Sequence, residues 1–380
     1  MPKSRLGIRA KVRAFNYNSL PSRVVFRVGA LDELGAEIER LGAHRALVLS
    51  TPEQRGIAED VARRLGGRAA GVYDKAVMHV PLETAEAARA AAKSLNADCC
   101  IAIGGGSTVG LGKAIALTSE LPIIAIPTTF AGSEMTPIYG LTAAGEKKTG
   151  RDLRVLPRTV LYDPLLLMTL PAEIAGPSGM NAIAHCVEAL YAQDANPIVS
   201  LMAEEGIRAL ASSLPLVVAQ PDNIEARSEA LYGAYLAGAC LGSVGMALHH
   251  KLCHTVGGTY NLPHAQTHTI ILPHAMHYNG DAAPAAMAAI SRALAAAGLP
   301  ATSPAVGLYK LARKIGAPLA LRDLGMPAAS LDEAARLATQ NPYYNPRPVE
   351  YAAIRQLLQN AWEGICPGEV ELHTAAVSSH

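Results

Sequence analysis

Short apolar runs that alternate with helical segments are the feature that most limits how this chain can fold. The runs cover residues 23–27, 46–49, 71–73, 99–103, 123–126 and 160–162. Helical segments lie between them, among others at residues 31–41 and 57–65 and in an alanine-rich stretch that ends near residue 95. Strands separated by helices pair in parallel rather than as hairpins. The pattern therefore predicts an α/β fold with a doubly wound, mostly parallel sheet.

The second half of the chain has a different pattern. From Pro171 onward the signal is helical nearly to the end, with few strand-like runs. A chain of 380 residues is long enough for two domains with separate cores. We therefore predict an α/β domain over residues 1–170 and an all-α domain over residues 171–380.

Two loops of small residues follow neighbouring strand runs, the glycine loop at residues 104–107 and the threonine loop at residues 127–134. In a doubly wound sheet the ligand lies outside the carboxyl ends of the strands, where a helix N-terminus attracts phosphate. A tight strand-to-helix turn would explain either loop alone, whereas two loops at neighbouring strand ends predict a nucleotide. The residues predicted to contact it are Gly105, Gly106, Ser107, Thr128, Thr129 and Ser133.

Histidine is concentrated in one stretch, because seven of the twelve histidines lie between residues 248 and 279. His250 and His254 are four residues apart in a predicted helix, so both imidazoles lie on one face. His264 follows in a Pro-His turn. A polar helix face could carry two histidines without function, but this density predicts a metal site or a site that handles protons.

Charge and composition exclude several classes of partner. The net charge of +1 offers no basic surface for nucleic acid. The basic N-terminal segment lacks the apolar centre of a signal peptide, and no apolar run approaches the roughly 18 residues of a membrane span. The six cysteines have neither the density of a disulfide scaffold nor paired zinc-site spacing. We expect reduced thiols in a cytoplasmic protein that binds a small molecule.

Taken together, the motifs resemble the iron-containing (group III) alcohol dehydrogenase family. They are the glycine and threonine loops, the Gly-Met-Asn run before His185, the His250–His254 pair, and the Pro-His turn at His264. The resemblance runs over almost the whole chain. It implies an N-terminal dinucleotide-binding domain, a helical C-terminal domain, a cleft between them where nicotinamide meets substrate, and a homodimer.

The family resemblance also implies a set of metal ligands, from which this chain departs. In the family one aspartate and three histidines hold a divalent metal, and the corresponding positions here are Asn181, His185, His250 and His264. A neutral amide in place of the carboxylate removes the only anionic ligand. We therefore expect function without a metal; if a metal is bound, the ligands would be His185, His250 and His264.

Further departures concern the cofactor. Thr51 stands where the family has an aspartate that bonds the adenosine ribose, and without that carboxylate nothing obvious repels a 2'-phosphate. We therefore expect use of both NADH and NADPH. Gly110 replaces an aspartate common in metal-dependent members. Lys148 lies in a predicted polar turn over residues 145–151 that could fold over the cofactor, and His79 could either face the nicotinamide or cap the following helix.

Within the family the chain most resembles members that reduce the carbon–carbon double bond of an unsaturated keto-dicarboxylate. Hydride addition leaves negative charge on the ketone oxygen, which imidazole groups can stabilise while also protonating carbon. His254 and His250 are the first candidates, with His185 and His264 lining the pocket and Asn181 donating an amide N–H. Candidates for binding the substrate carboxylates are Lys148, Arg151, His249 and Arg347.

Several neighbouring residues are expected to have minor or structural roles. His268, His274 and His277 are predicted to be core or interface histidines, and Glu188 to hydrogen-bond His185 one turn before it. Cys253 points away from His254 on a helix and is not assigned as a nucleophile.

Three other functions stay open at this stage. One is a metal-dependent alcohol dehydrogenase that acts on a small alcohol or carbonyl, which metal content and metal rescue would identify. Another is a lyase that resembles dehydroquinate synthase, which consumes no net nicotinamide. The last is a protein that binds a nucleotide without catalysis.

Overall fold

A computed structural model of the protein describes residues 15–20, 22–143 and 146–368. The basic N-terminal segment, Gly145 of the predicted polar turn and the end of the predicted helical domain lie outside the described residues. Six strands form the main sheet: β1 (Arg23–Phe26), β2 (Ala46–Leu49), β3 (Ala69–Tyr73), β4 (Cys99–Gly104), β5 (Ile123–Pro127) and β8 (Thr159–Tyr162). Four helices connect them: α1 (Leu34–Arg40), α2 (Arg55–Leu65), α3 (Leu82–Ser94) and α4 (Gly106–Ser119).

The main sheet is parallel throughout, in the order β1-β8-β5-β4-β2-β3. The central strands β2, β4 and β5 are buried along their full length. Burial on both faces explains why they are continuous apolar runs without alternation. The predicted α/β class is confirmed, with each of the six predicted runs forming a strand.

A second, two-stranded sheet was missed by the sequence prediction. Strands β6 (Ile138–Ala143) and β7 (Glu146–Arg151) pair antiparallel, with Leu141 opposite Lys148. The prediction of a polar turn over residues 145–151 is therefore wrong for residues 146–151. The polar side chains of this segment are compatible with a strand because a two-stranded ribbon leaves one face to water.

The rest of the described chain is helical. The helices are α5 (Ala172–Leu190), α6 (Pro197–Ala219), α7 (Ile224–Ser243), α8 (Leu248–Tyr260), α9 (His264–Asn279), α10 (Pro284–Ala296), α11 (Pro304–Lys314), α12 (Leu331–Thr339) and α13 (Tyr351–Glu363). Helix α5 is buried from Ala175 to Ala189. It packs against α6, α7 and α9, and so its side chains meet those of several other helices.

The connection between the two parts of the chain contains the predicted domain boundary. Strand β8 ends at Tyr162 and α5 begins at Ala172, so the boundary after Leu170 lies between them and stays a prediction. The buried Arg227 of α7 holds this connection, because its guanidinium donates to the carbonyl oxygens of Leu167 and Leu170.

No single helix among the described residues has the length and apolar composition to cross a membrane. Helices α7 and α8 together meet that test of length and composition, but they are bent by 96° at the break between them.

Candidate active site

The glycine and threonine loops meet at the carboxyl edge of the sheet. Strands β2, β4 and β5 are neighbours, and the chain leaves β2 and β4 in opposite directions, which makes this edge a switch point where α/β proteins bind ligands. The Thr128 amide donates to the Gly104 carbonyl at 3.1 Å. Gln54, which follows β2, donates to the Thr128 hydroxyl at 2.8 Å. The three loops therefore form one connected surface.

The start of α4 suits a phosphate group. The helix begins at Gly106, so its first backbone N–H groups lack partners within the helix and point towards the loop. A Cβ atom at Gly105 would lie 3.1 Å from both Cγ2 and Oγ1 of Thr129. Because even a methyl group would crowd the two loops here, glycine allows the loops to pack closely. These residues fit a dinucleotide phosphate.

A buried lysine holds the threonine loop in place. The Lys113 ammonium donates to the carbonyl oxygens of Ser133 and Ile138, each at 2.7 Å, and to the Thr136 hydroxyl at 2.9 Å. Burial lowers the pKa of Lys113 to about 7, although the nearby Glu134 favours its charged form. The Ser133 hydroxyl also lies 3.2 Å from this ammonium, so the predicted cofactor residue Ser133 is part of the loop's internal support.

The other predicted cofactor residues lie in three places. Thr51 is half-buried and follows β2. Lys148 is exposed on β7 rather than in a turn. His79 lies two residues before Pro81, the N-cap residue of α3. Both roles considered for His79 stay predictions.

The loop that carries His79 has a strained backbone. His79 and Val80 both have positive φ angles, 65° and 43°, which is rare for any side chain and rarer for the branched valine. Thr142 holds the loop, since its hydroxyl donates to the His79 carbonyl at 2.8 Å and its amide donates to the Val80 carbonyl at 3.1 Å. The Val80 side chain packs on Gly110 of α4, where a Cβ atom would lie 2.9 Å from its Cγ2.

Replacing Gly110 by alanine is expected to displace this loop. The new methyl group overlaps Val80, and overpacking of this kind costs about 1–3 kcal/mol, more than the roughly 1 kcal/mol gained in helix propensity. We expect a lower free energy of unfolding and a several-fold higher KM for NADH, measured by denaturation and by initial rates. Gly112→Ala is the control, because a Cβ atom there meets its neighbours at 3.5 Å or more. Adding Val80→Ala to Gly110→Ala should restore both values; a double variant as impaired as Gly110→Ala would contradict the packing argument.

Six histidines from three helices form one cluster, in which neighbouring ring centroids lie 4.3–6.5 Å apart. Helix α5 contributes His185, α8 contributes His249, His250 and His254, and α9 contributes His264 and His268. His254 and His264 are exposed, and their rings stack 6.3 Å apart. The other four are buried beneath them.

Glu188 organises the first buried layer of the cluster. Its carboxylate accepts bonds from the amides of Ala247 at 2.8 Å and His249 at 2.7 Å, at the N-terminus of α8. It also accepts from Nδ1 of His250 at 2.7 Å. A carboxylate only accepts, so His250 carries its proton on Nδ1, and its Nε2 lies 2.9 Å from Nδ1 of His185. The expectation that Glu188 bonds His185 is therefore wrong, because the side chain reaches across to α8.

The second buried layer contains His249, His268 and Cys253. Nε2 of His249 lies 3.0 Å from Nδ1 of His268, and the Cys253 thiol lies within 4 Å of the His249 ring. Burial, reinforced by the neighbouring imidazoles, holds the pKa of both histidines well below the usual range. Burial also raises the pKa of the Cys253 thiol. These groups are therefore neutral at physiological pH.

This layer corrects one prediction and extends another. His249 is a predicted candidate cation for a substrate carboxylate, but it is fully buried and neutral. His268 is buried, as expected of a core histidine, and its ring also lies within 6.5 Å of five other histidine rings. The four-residue spacing of His264 and His268 places them on one helix face and could have indicated this.

The remaining candidates lie elsewhere. Arg347 stacks on Tyr278, 4.2 Å from the ring centroid, and lines a pocket with His274 and His277 at the far end of α9. Arg151 donates to the Gly242 carbonyl and so joins β7 to the end of α7. Neither contact involves the histidine cluster.

The donor atoms of the three predicted histidine ligands, His185, His250 and His264, do not all lie within 4.8 Å of one another. Zinc ligands surround the ion at about 2.0–2.3 Å, so their donor atoms must lie close together. Among the described residues, the group whose donor atoms all lie within 4.8 Å is His249, Cys253 and His268, not the predicted ligands. His185 and His250 instead bond each other, and the buried Oδ1 of Asn181 has no hydrogen-bond partner among the described residues. The expectation of function without a metal stays a prediction.

Comparison with known proteins matches both parts of the chain to one family. The family model "Iron-containing alcohol dehydrogenase" matches residues 21–164, and "Fe-containing alcohol dehydrogenase family, C-terminal" matches residues 176–362. The chain belongs to the iron-containing alcohol dehydrogenase family. It is accordingly an oxidoreductase of a family that uses NAD(P).

Several of its relatives within that family carry the name maleylacetate reductase. Maleylacetate reductase from Burkholderia cepacia is 57% identical over 356 residues, which is 94% of this chain and all of the relative. Maleylacetate reductase from Sphingobium indicum is 56% identical over 93% of this chain and 99% of the relative. The crystal structure of maleylacetate reductase from Agrobacterium tumefaciens superposes with a TM-score of 0.89 at 51% identity, covering 93% of this chain and 100% of that one.

Proposed function

We propose that this chain is a maleylacetate reductase, which reduces the carbon–carbon double bond of maleylacetate to give 3-oxoadipate in the breakdown of aromatic compounds. The observation that carries the proposal is the 57% identity to a maleylacetate reductase over that protein's whole length. The histidine cluster supports it, because the reaction needs hydrogen-bond donors and a proton source. We propose that either NADH or NADPH serves, and that the protein is a cytoplasmic homodimer.

The reaction makes specific demands on the residues of the cluster. Reduced nicotinamide supplies a hydride to the carbon β to the ketone, which leaves an enolate on the ketone oxygen. A hydrogen-bond donor must stabilise that oxygen, and a proton must reach the α carbon. His254 and His264 are the exposed members of the cluster, so they are the groups we assign to contact the substrate first. His250, which is hydrogen-bonded to Glu188, lies below His254, and the centroids of these two rings are 6.1 Å apart.

We further propose that this reduction needs no metal. The neutral Asn181 supplies no charge to hold a dication, and Nε2 of His250 is already engaged with His185. A metal-free pocket also suits the substrate, because a carboxylate at position 181 would repel a dicarboxylate.

Reduction of maleylacetate after treatment with a strong chelator tests this proposal. We expect oxidation of NADH and of NADPH to proceed at an undiminished rate on protein shown by elemental analysis to be metal-free. Activity that disappears and returns with zinc or iron would contradict the metal-free mechanism alone. Absence of maleylacetate reduction in either state, with reduction of a simple aldehyde, would instead favour an alcohol dehydrogenase.

A further inference from the structure

His268 is the most deeply placed histidine of the cluster that still has an unused nitrogen. Its side chain is fully buried, and Nε2 has no hydrogen-bond partner among the described residues. A buried polar group without a hydrogen-bond partner destabilises the folded protein. The nearest ring in the cluster is that of the exposed His264, with centroids 4.3 Å apart. The His268 ring therefore lies one ring below the accessible face of the site.

The neighbours of His268 determine whether this nitrogen donates or accepts. The buried Cys253 thiol keeps its proton, and Nδ1 of His249 lies 3.9 Å from the sulfur, within the range of a thiol hydrogen bond. If the thiol donates to Nδ1, then His249 carries its proton on Nε2 and donates it to Nδ1 of His268 at 3.0 Å. His268 then carries its own proton on Nε2. The sulfur also lies 3.7 Å from Nε2 of His249, and donation there would reverse the order and leave Nε2 of His268 as an acceptor. Only the first order lets His268 donate to a ketone oxygen.

We propose that His268 Nε2–H is a fixed hydrogen-bond donor for the ketone oxygen of the substrate, which reaches it when the His264 side chain turns aside. This inference rests on the proposed function, since it assigns the donor that the enolate oxygen needs. A hydrogen-bond donor inside a buried site stabilises developing negative charge strongly, because no water competes for the bond. His249 and Cys253 are positioning residues, which act by fixing the direction of the bond.

Replacing His268 by leucine and by glutamine tests the assignment. Leucine fills the space without a donor, and loss of one such donor lowers kcat by roughly 10²–10³-fold. The amide nitrogen of glutamine can reach near the Nε2 position, so His268→Gln should keep kcat within about tenfold of the wild type. The KM for NADH should not change in either variant.

His274→Leu is the matched control, since His274 is also a buried histidine of α9 with an unpartnered Nε2, but lies outside the cluster. It should keep kcat near the wild-type value. A His268→Leu variant as active as this control, or a His268→Gln variant as impaired as His268→Leu, would overturn the proposal. If His268→Leu does not fold, His268→Asn replaces it, because its shorter amide reaches only the Nδ1 position. A wild type that reduces aldehydes but not maleylacetate would refute the proposed function, while the same comparison of kcat on the aldehyde would still test the donor.

Discussion

Replacing Glu188 by leucine is expected to lower the free energy of unfolding by about 3–5 kcal/mol and to abolish turnover. The carboxylate is fully buried and satisfies the amides of Ala247 and His249 together with Nδ1 of His250. Leucine would leave these donors unpaired at the N-terminus of α8, where a negative charge is also favoured by the helix dipole. Chemical denaturation and the rate of NADH oxidation measure the two effects.

Two further variants separate the charge of Glu188 from its shape. Glu188→Gln keeps one accepting oxygen, so we expect its free energy of unfolding to lie between those of the wild type and Glu188→Leu. Turnover should still be strongly reduced, because His250 loses its fixed orientation. Glu173→Gln, at an exposed position on the same helix, should behave as the wild type. Normal turnover in Glu188→Gln would show that the carboxylate does not orient His250.

Replacing Asn181 by aspartate is expected to produce a protein whose stability depends on a divalent metal. Asn181 is 4% exposed, and an unpaired carboxylate there must be desolvated, which costs several kcal/mol. Zinc or iron bound by the new carboxylate and the nearby imidazoles would offset that cost. We therefore expect a lower Tm than the wild type without metal, a rise in Tm on adding metal, and loss of metal-free maleylacetate reduction.

The wild type and Asn181→Leu are the controls for this experiment. The wild type should show little change in Tm with added metal, because it lacks the anionic ligand. Asn181→Leu has a similar volume without either an amide or a charge, and should gain no metal dependence. A wild-type Tm that rises as much as that of Asn181→Asp would contradict the view that the amide excludes the metal.

These predictions share one physical basis. The scaffold of a metal-dependent family is retained, but the charge that would hold the metal is absent at position 181. The buried negative charge of the site is Glu188, whose carboxylate accepts hydrogen bonds from the start of α8 and from His250. The cluster is therefore a set of hydrogen-bonded imidazoles, and its chemistry depends on which nitrogen of each ring carries the proton.

Much of the α/β half could be predicted from local pattern. Strand β2 was predicted at the residues it occupies, 46–49, because a strand covered on both faces is a pure apolar run. The glycine loop could be predicted in the same way, because glycines between a buried strand and a helix usually form a tight strand-to-helix turn. The β6–β7 ribbon was missed because it is half polar, and its pairing depends on contacts rather than on periodicity.

In the site, the sequence by itself determined the residue types and the neutral amide at Asn181, and the spacing of His250 and His254 on one face follows from helix geometry alone. Only the tertiary structure decided that Glu188 bonds His250 and that His268 lies among the other histidines. Hydrogen-bond partners depend on where helices cross, and that is set by packing of the whole core. Sequence periodicity records which face of a helix is buried, but not which atom of another helix it meets.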